Sequence, residues 1–205
     1  MTVSLPHPLS GAAWAGRTVG LLGGSFNPPH MGHMHDSLLA LRSLGLDQVW
    51  WLVSPQNPLK SRVGMAPFAD RLAAARKFVH HPRILVSDIE AALGTTYTAD
   101  TLARLAQLYP KTRFVWLMGA ENMAQIRHWD RWTRIFDSVP VAVFDRPPYS
   151  TKVEGALATQ RYARARLKGA NQTGLARAAP PAWAFFHTPL KDISSTALRE
   201  KGIWL

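Results

Sequence analysis

Hydrophobic and polar positions along the chain fall into two alternating patterns. Runs rich in apolar, β-branched and aromatic residues occupy 18–23, 48–54, 83–87, 112–118, 139–144 and 183–187. Between them apolar residues return every three or four positions. That spacing predicts helices over 31–43, 66–80 and 98–109, a broken helix across 121–136, another over 152–168 and a short last one over 195–201. The strand runs scarcely alternate: Val49-Trp50-Trp51-Leu52-Val53 is apolar throughout, as a strand covered on both faces requires. Strand and helix in regular succession predict an α/β fold, a Rossmann-like doubly wound parallel sheet with helices on both faces. Ligands of such sheets lie beyond the carboxyl ends of the strands, where strand order reverses.

The stretch after the first strand carries the clearest chemistry. Gly23-Gly24-Ser25-Phe26-Asn27-Pro28-Pro29-His30-Met31-Gly32-His33 reads as a tight turn leading into a helix. Backbone N–H groups and the positive end of the helix dipole meet there, which suits an anion such as a polyphosphate. His30 and His33 lie on one face of the first helical turn, where each imidazole can donate to a phosphate oxygen. The stretch is neither GxGxxG with its downstream acid nor GxxxxGK[ST], so a dinucleotide fingerprint and a P-loop are poor fits. Read as a metal pair, HxxH lacks the Glu of HExxH and a nearby third ligand, so no protein-held metal is expected. Near the end, Ser194 or Ser195 would cap the last helix with its amides facing a phosphate. Arg199, one turn on, projects from the same side.

Composition narrows the class. A chain of 205 residues with 47% hydrophobic and 18% charged residues folds rather than stays disordered. We expect a loose tail over 1–17 and one domain over 18–205. Residues 1–16 lack the basic start and apolar core of a signal peptide, and no apolar run reaches the ~18 residues of a membrane span. With no cysteine, disulfides are excluded, and a cytoplasmic protein is expected. Lys and Arg total 24 against 13 acids, a net charge of +11, which favours phosphate-rich partners, either nucleic acid or small nucleotides. The segment 148–181 holds six basic residues and one acid. It reads as a solvated surface insertion, with a nucleotide- or nucleic-acid-facing patch as the alternative. No RRM, OB or helix-turn-helix pattern occurs, so no specific nucleic acid partner is expected. A homo-oligomer is compatible with the sequence.

The Gly/His stretch closely resembles the signature of the HxGH nucleotidyltransferase superfamily, and within it that of the bacterial nicotinate-nucleotide adenylyltransferases. Ile193-Ser194-Ser195-Thr196-Ala197-Leu198-Arg199 resembles that superfamily's ISSTxxR block. Ser54-Pro55-Gln56-Asn57-Pro58-Leu59-Lys60 is similar to its PxxxPPHK loop, with Leu59 a departure. Thr96–Leu102 resembles TYTxDTL, and Gly119-Ala120-Glu121-Asn122 with Trp129 resembles GxDxxxxxxxW, Glu standing for the usual Asp. Asp145-Arg146-Pro147-Pro148 is similar to an RPG turn with Pro in place of Gly. The resemblance covers 18–147 and 182–200.

It implies adenylyl transfer from ATP to nicotinate mononucleotide, with pyrophosphate leaving and Mg²⁺ arriving bound to ATP. His30, His33, Lys60 and Arg199 would make the catalytic phosphate contacts. Gly23, Gly24, Ser25, Phe26, Ser194 and Ser195 would bind ATP. Asn27, Tyr97, Thr98, Glu121, Trp129 and Arg146 would bind the mononucleotide, with the Trp129 ring stacked on nicotinate. Sister enzymes on the same phosphate site, a phosphopantetheine adenylyltransferase or a cytidylyltransferase, are the near alternative. A basic nucleic-acid-binding protein is the alternative from another class.

Overall fold

The computed structural model describes residues 11–55, 64–145 and 149–187. Among them, β1 (Thr18–Gly24), β2 (Gln48–Val53), β3 (Ile84–Ser87), β4 (Arg113–Gly119), β5 (Val141–Phe144), β6 (Arg166–Leu167) and β7 (Trp183–Phe186) form one sheet. Its order is β3-β2-β1-β4-β5-β7-β6, and every pairing is parallel. The chain winds outward from β1 through β2 to β3, then resumes on the other side of β1 with β4. Strand order therefore reverses between β1 and β4, and the crevice opens where Gly24 and Gly119 end those strands. The doubly wound sheet expected from the sequence is present.

Side chains alternate across the sheet, so its two faces carry separate cores. One face presents Leu21, Trp50, Trp116, Val143 and Trp183 to α3 (Ile89–Leu93), α4 (Thr98–Leu108), α5 (Ala120–Gln125) and α6 (Trp132–Ser138). The same core takes in α7 (Ser150–Glu154) and α8 (Leu157–Arg161) through Val153 and Ala158. The other face presents Leu22, Trp51, Leu117 and Phe144 to α1 (Met31–Ser43), α2 (Phe68–Phe78) and the 3-10 turns of Gly169–Arg177. Trp50 and Trp51 are neighbours in β2 yet serve opposite layers, because successive strand residues point to opposite faces.

The structure departs from the sequence expectation in three places. Of the tail expected over 1–17, residues 11–17 pack against the body. Trp14 is 7% exposed, meets Trp50 edge-to-face at 4.9 Å, and accepts from Thr112 Oγ through its carbonyl at 2.8 Å. Residues 1–10 lie outside the described residues. The single helix expected over 152–168 is instead α7, α8, a 3-10 turn and β6. Gly155 ends α7, and Thr159 Oγ then donates to Val153 O at 2.6 Å, fixing the bend into α8. The segment 148–181 is thus more than a solvated insertion: Val153, Ala158, Tyr162 and Leu175 are buried, and Arg166 lies over Trp183 while pairing with Glu154. The short helix expected over 195–201 lies outside the described residues.

Gly23 is required by close approach. A Cβ there would meet Trp116 Cη2 at 2.5 Å, and the indole is too tightly packed to retreat. Gly23→Ala is expected to lower stability by about 1–3 kcal/mol through overpacking. The measurement is a lower urea midpoint at unchanged slope.

Candidate active site

Beyond Gly24 the chain makes an elbow into α1. Phe26 adopts a left-handed φ of 46° and the Asn27–Pro28 peptide is cis. A non-glycine residue holds such a φ only under support, and here the Phe26 ring supplies it, stacked on Trp51 at 4.8 Å and 11°. Asn27 braces the elbow from the far side. Its Nδ2 donates to Gly64 O at 3.0 Å and its Oδ1 accepts from Ala66 N–H at 3.2 Å. Expected as a ligand contact, Asn27 is tied here to Gly64 and Ala66, just before α2.

His30 is the N-cap of α1, with extended backbone (φ −153°, ψ 168°). Its Nδ1 accepts from Gly32 N–H at 3.1 Å, while its own N–H donates to His33 Nδ1 at 3.2 Å. The two histidines form a capping box of the kind usually built from Ser or Thr with Glu. Because each Nδ1 accepts, each neutral ring carries its proton on Nε2. The rings stack with centroids 3.7 Å apart at 25°, so the Nε2–H groups are held as a pair, turned away from the backbone bonds. His33 is fixed further by Phe26, 4.8 Å away. Its carbonyl accepts from Ser37 Oγ at 2.7 Å, and that oxygen in turn accepts from Trp51 Nε1 at 2.8 Å. Two N–H donors at a helix start form a cradle for anionic oxygens.

Sequence reasoning missed Arg71. It projects from α2 and is 3% exposed. Its Nε donates to Ala66 O at 3.0 Å, Nη1 to Ser25 O at 2.6 Å and Ser54 O at 2.9 Å, and Nη2 to Pro55 O at 2.9 Å. One guanidinium therefore joins the elbow to both flanks of the β2–α2 loop. Desolvation lowers its pKa from the ordinary value, yet arginine stays charged. One signal was available: Arg71 falls on the buried stripe of α2 with Leu72 and Ala75, where a cation needs a reason.

The opposite wall starts from β4. Gly119 is the N-cap of α5, and Glu121 in the first turn folds its carboxylate back to where a Gly119 Cβ would be. Arg131, itself left-handed (φ 46°), donates to both carboxylate oxygens of Asp100 at 2.8 and 2.7 Å. Its guanidinium lies 5.9 Å from the centre of the Tyr97 ring. That bidentate grip ties the start of α4, with Tyr97 and Thr98, to the chain that carries Trp129. The Trp129 ring meets Trp116 edge-on at 6.5 Å, and Trp116 abuts Gly23. A single indole thus links the wall to the elbow.

Under the start of α4 lies Glu90, buried in α3. Thr101 Oγ lies 3.2 Å from Glu90 Oε1, 2.9 Å from Thr95 Oγ and 3.3 Å from Tyr97 O. Desolvation pushes the Glu90 carboxyl up to about 7, against the opposing effect of the Thr101 bond.

The structure therefore gathers Gly23, Gly24, Ser25, Phe26, Asn27, His30 and His33 at the end of β1, and sets Glu121 at the neighbouring end of β4. Trp129 packs on the core of the opposite face, and Tyr97 and Thr98 are tied to its segment through the Arg131–Asp100 pair. Lys60, Arg146, Ser194, Ser195 and Arg199 lie outside the described residues. Among the described residues no group of three or more His, Asp or Glu side chains could hold a metal ion.

A parallel sheet wound on both faces, with an anion cradle at the reversal of strand order, defines a nucleotide-binding α/β protein. The family model described as cytidylyltransferase-like matches residues 21–201. A Cereibacter sphaeroides protein named "Probable nicotinate-nucleotide adenylyltransferase" is 56% identical over 186 residues, covering 91% of this chain and 98% of its own. A Parvibaculum lavamentivorans protein of the same name is 52% identical over 189 residues, covering 92% and 94%. The fold is shared with Plasmodium falciparum nicotinic acid mononucleotide adenylyltransferase complexed with NaAD, at a TM-score of 0.65 and 18% identity, over 90% of this chain and 83% of that one. The chain belongs to the cytidylyltransferase-like family, in its nicotinate-nucleotide adenylyltransferase branch.

Glu90 gives the site a pH signature. An unfolded carboxyl ionises near ~4.3, whereas the folded one keeps its proton to about 7. Across that window the unfolded state releases a proton that the folded state holds, so stability falls as pH rises. Glu90→Gln keeps an oxygen for Thr101 and cannot ionise. It is expected to leave the melting temperature unchanged at pH 4 and to raise stability at pH 8, by on the order of 3 kcal/mol.

Proposed function

We infer that the protein transfers the adenylyl group of ATP to nicotinate mononucleotide, giving deamido-NAD and pyrophosphate, a step of NAD biosynthesis. The observation that carries this reading is the stacked pair of Nε2–H donors, His30 and His33, at the start of α1 where strand order reverses. Relatives above 50% identity bear the name of that activity over nearly their whole length.

The phosphate of the mononucleotide attacks the α-phosphorus of ATP. A new P–O bond forms, the bond from α-phosphorus to the bridging oxygen breaks, and pyrophosphate leaves with the electron pair. The attacking phosphate is already an anion, so the reaction needs no general base and no covalent nucleophile. Catalysis is positioning and neutralisation of charge. His30 and His33 donate to α- and β-phosphate oxygens as charge builds there, and the turn from Gly23 through Gly24 and Ser25 to Phe26 lines the ATP side. The sequence resemblance assigns Lys60 and Arg199 to the β/γ end and Ser194 and Ser195 to the ATP contacts. Mg²⁺ would enter as part of the substrate, bound to ATP, and would supply further neutralisation of phosphate charge.

On the acceptor side, the Trp129 ring stacks on nicotinate, and amides at Tyr97 and Thr98 receive its carboxylate. Asn27, Glu121 and Arg146 complete the mononucleotide contacts. No helix among the described residues is long and apolar enough to cross a membrane.

The direct test follows pyrophosphate release from Mg-ATP with the acid and amide mononucleotides in parallel. The acid is expected to be preferred by about tenfold or more in kcat/KM, the value of a charged hydrogen bond over a neutral one. Equal kcat/KM for the two would remove the acid from the assignment. His33→Ala is expected to lower kcat by about 10²–10³, as for loss of a transition-state donor. Circular dichroism should show the fold intact, and a near-native kcat would take His33 out of its role.

A further inference from the structure

Arg71 does more than fill space. A guanidinium offers five N–H donors in a rigid planar fork. Here four bonds reach main-chain carbonyls in three separate segments, Ser25, Ser54 with Pro55, and Ala66. Among the described residues no ion pair includes Arg71. Its guanidinium carbon lies 5.6 Å from the centre of the Phe68 ring. A buried cation surrounded by carbonyl dipoles is held but not neutralised, an arrangement that favours an anion close by.

The bond to Ser25 O, at 2.6 Å, has a directional consequence. The Ser25–Phe26 peptide is not one of the cis bonds, and in a trans peptide the N–H points opposite to the C=O. Drawing the Ser25 carbonyl toward Arg71 therefore turns the Phe26 N–H the other way. A cationic donor on that carbonyl also polarises the attached N–H as a donor. None of the four bonds touches 97–100 or 129–132, the wall assigned to the acceptor.

We propose that Arg71 is a positioning residue for adenylyl transfer: its guanidinium sets the direction of the Phe26 amide and adds a buried positive charge behind the phosphate cradle. This rests on the function proposed above. Arg71 touches no substrate in this arrangement; it acts through the backbone of the elbow.

Arg71→Lys keeps the charge but has three donors at one point, too few and too close together to hold three segments. It is expected to lower kcat on the order of 10²-fold, the cost of a small misplacement, with KM for the mononucleotide within about twofold of wild type. Inorganic tripolyphosphate, titrated calorimetrically into the free enzyme, should bind about tenfold more weakly to the variant, one lost decade in Kd. In Arg71→Ala, added guanidinium chloride should restore part of kcat, while His33→Ala should gain nothing from it.

Wild-type kcat and wild-type tripolyphosphate affinity in Arg71→Lys would overturn the proposal. So would an acceptor KM that rises in step with the loss of kcat, because a general disturbance of the fold predicts that pattern. If the wild-type protein binds tripolyphosphate in an Arg71-dependent manner yet transfers nothing to nicotinate mononucleotide, the role of Arg71 stands and the acceptor assignment falls.

Discussion

The first amides of a helix need acceptors, and in α1 two imidazole Nδ1 atoms provide them. Serine, threonine or aspartate would cap the helix equally well but would leave only an acceptor or a hydroxyl at the surface. Histidine satisfies a backbone N–H with one ring nitrogen and, by doing so, fixes a proton on the other. His30 and His33 thus hold α1 in place and set their own tautomer through the same bonds. Had the proton sat on Nδ1, the cap would be lost and Nε2 would be an acceptor instead of a donor. The start of the helix and the tautomer of both rings depend on one pair of hydrogen bonds.

That arrangement needs a rigid support, which the sheet supplies from both faces. Phe26, His33 and Trp51 pack on one side, and Trp116 with Trp129 on the other. Gly23 lies where the second layer presses closest, and its missing Cβ is the space the Trp116 indole occupies. The two walls of the site are therefore joined through β1 itself and need no loop to reach across the crevice. The Arg131–Asp100 pair does the same within the far wall: two carboxylate oxygens on one planar fork fix an orientation as well as a distance.

Much of this was legible in the sequence. The near-continuous apolar runs gave the parallel strands within a residue or two, and the helix over 31–43 has the expected bounds. The elbow was readable because glycine, proline and histidine at fixed spacing leave few alternatives for the backbone. Other features carried no periodic signal. β6 is two residues long and α3 only five, shorter than the window in which a period can show. Trp14 looked like part of a tail because its partner, Trp50, is distant in the chain. Arg71 could be picked out only by its place on the buried stripe of α2; its partners are carbonyl groups, which every residue has, so no side-chain pattern reveals what it holds. Asn27 was noticed for its place in the motif, yet its amide also serves Gly64 and Ala66.

The disposition of charge follows the same economy. A chain with a net charge of +11 could spread it as a diffuse field over the surface, and several of its arginines are instead committed to structure. Arg166 and Arg161 lie over aromatic rings, Arg131 is paired with Asp100 and Asp130, and Arg71 is buried on carbonyls. Glu90, buried beneath the start of α4, is pushed by desolvation up to about 7 and is only partly ionised at neutral pH. A reaction in which one polyanion attacks another must first overcome the repulsion between them. Donors held in place by the fold, as the imidazoles of His30 and His33 are by their caps, can oppose such repulsion without reorganising, which water cannot do.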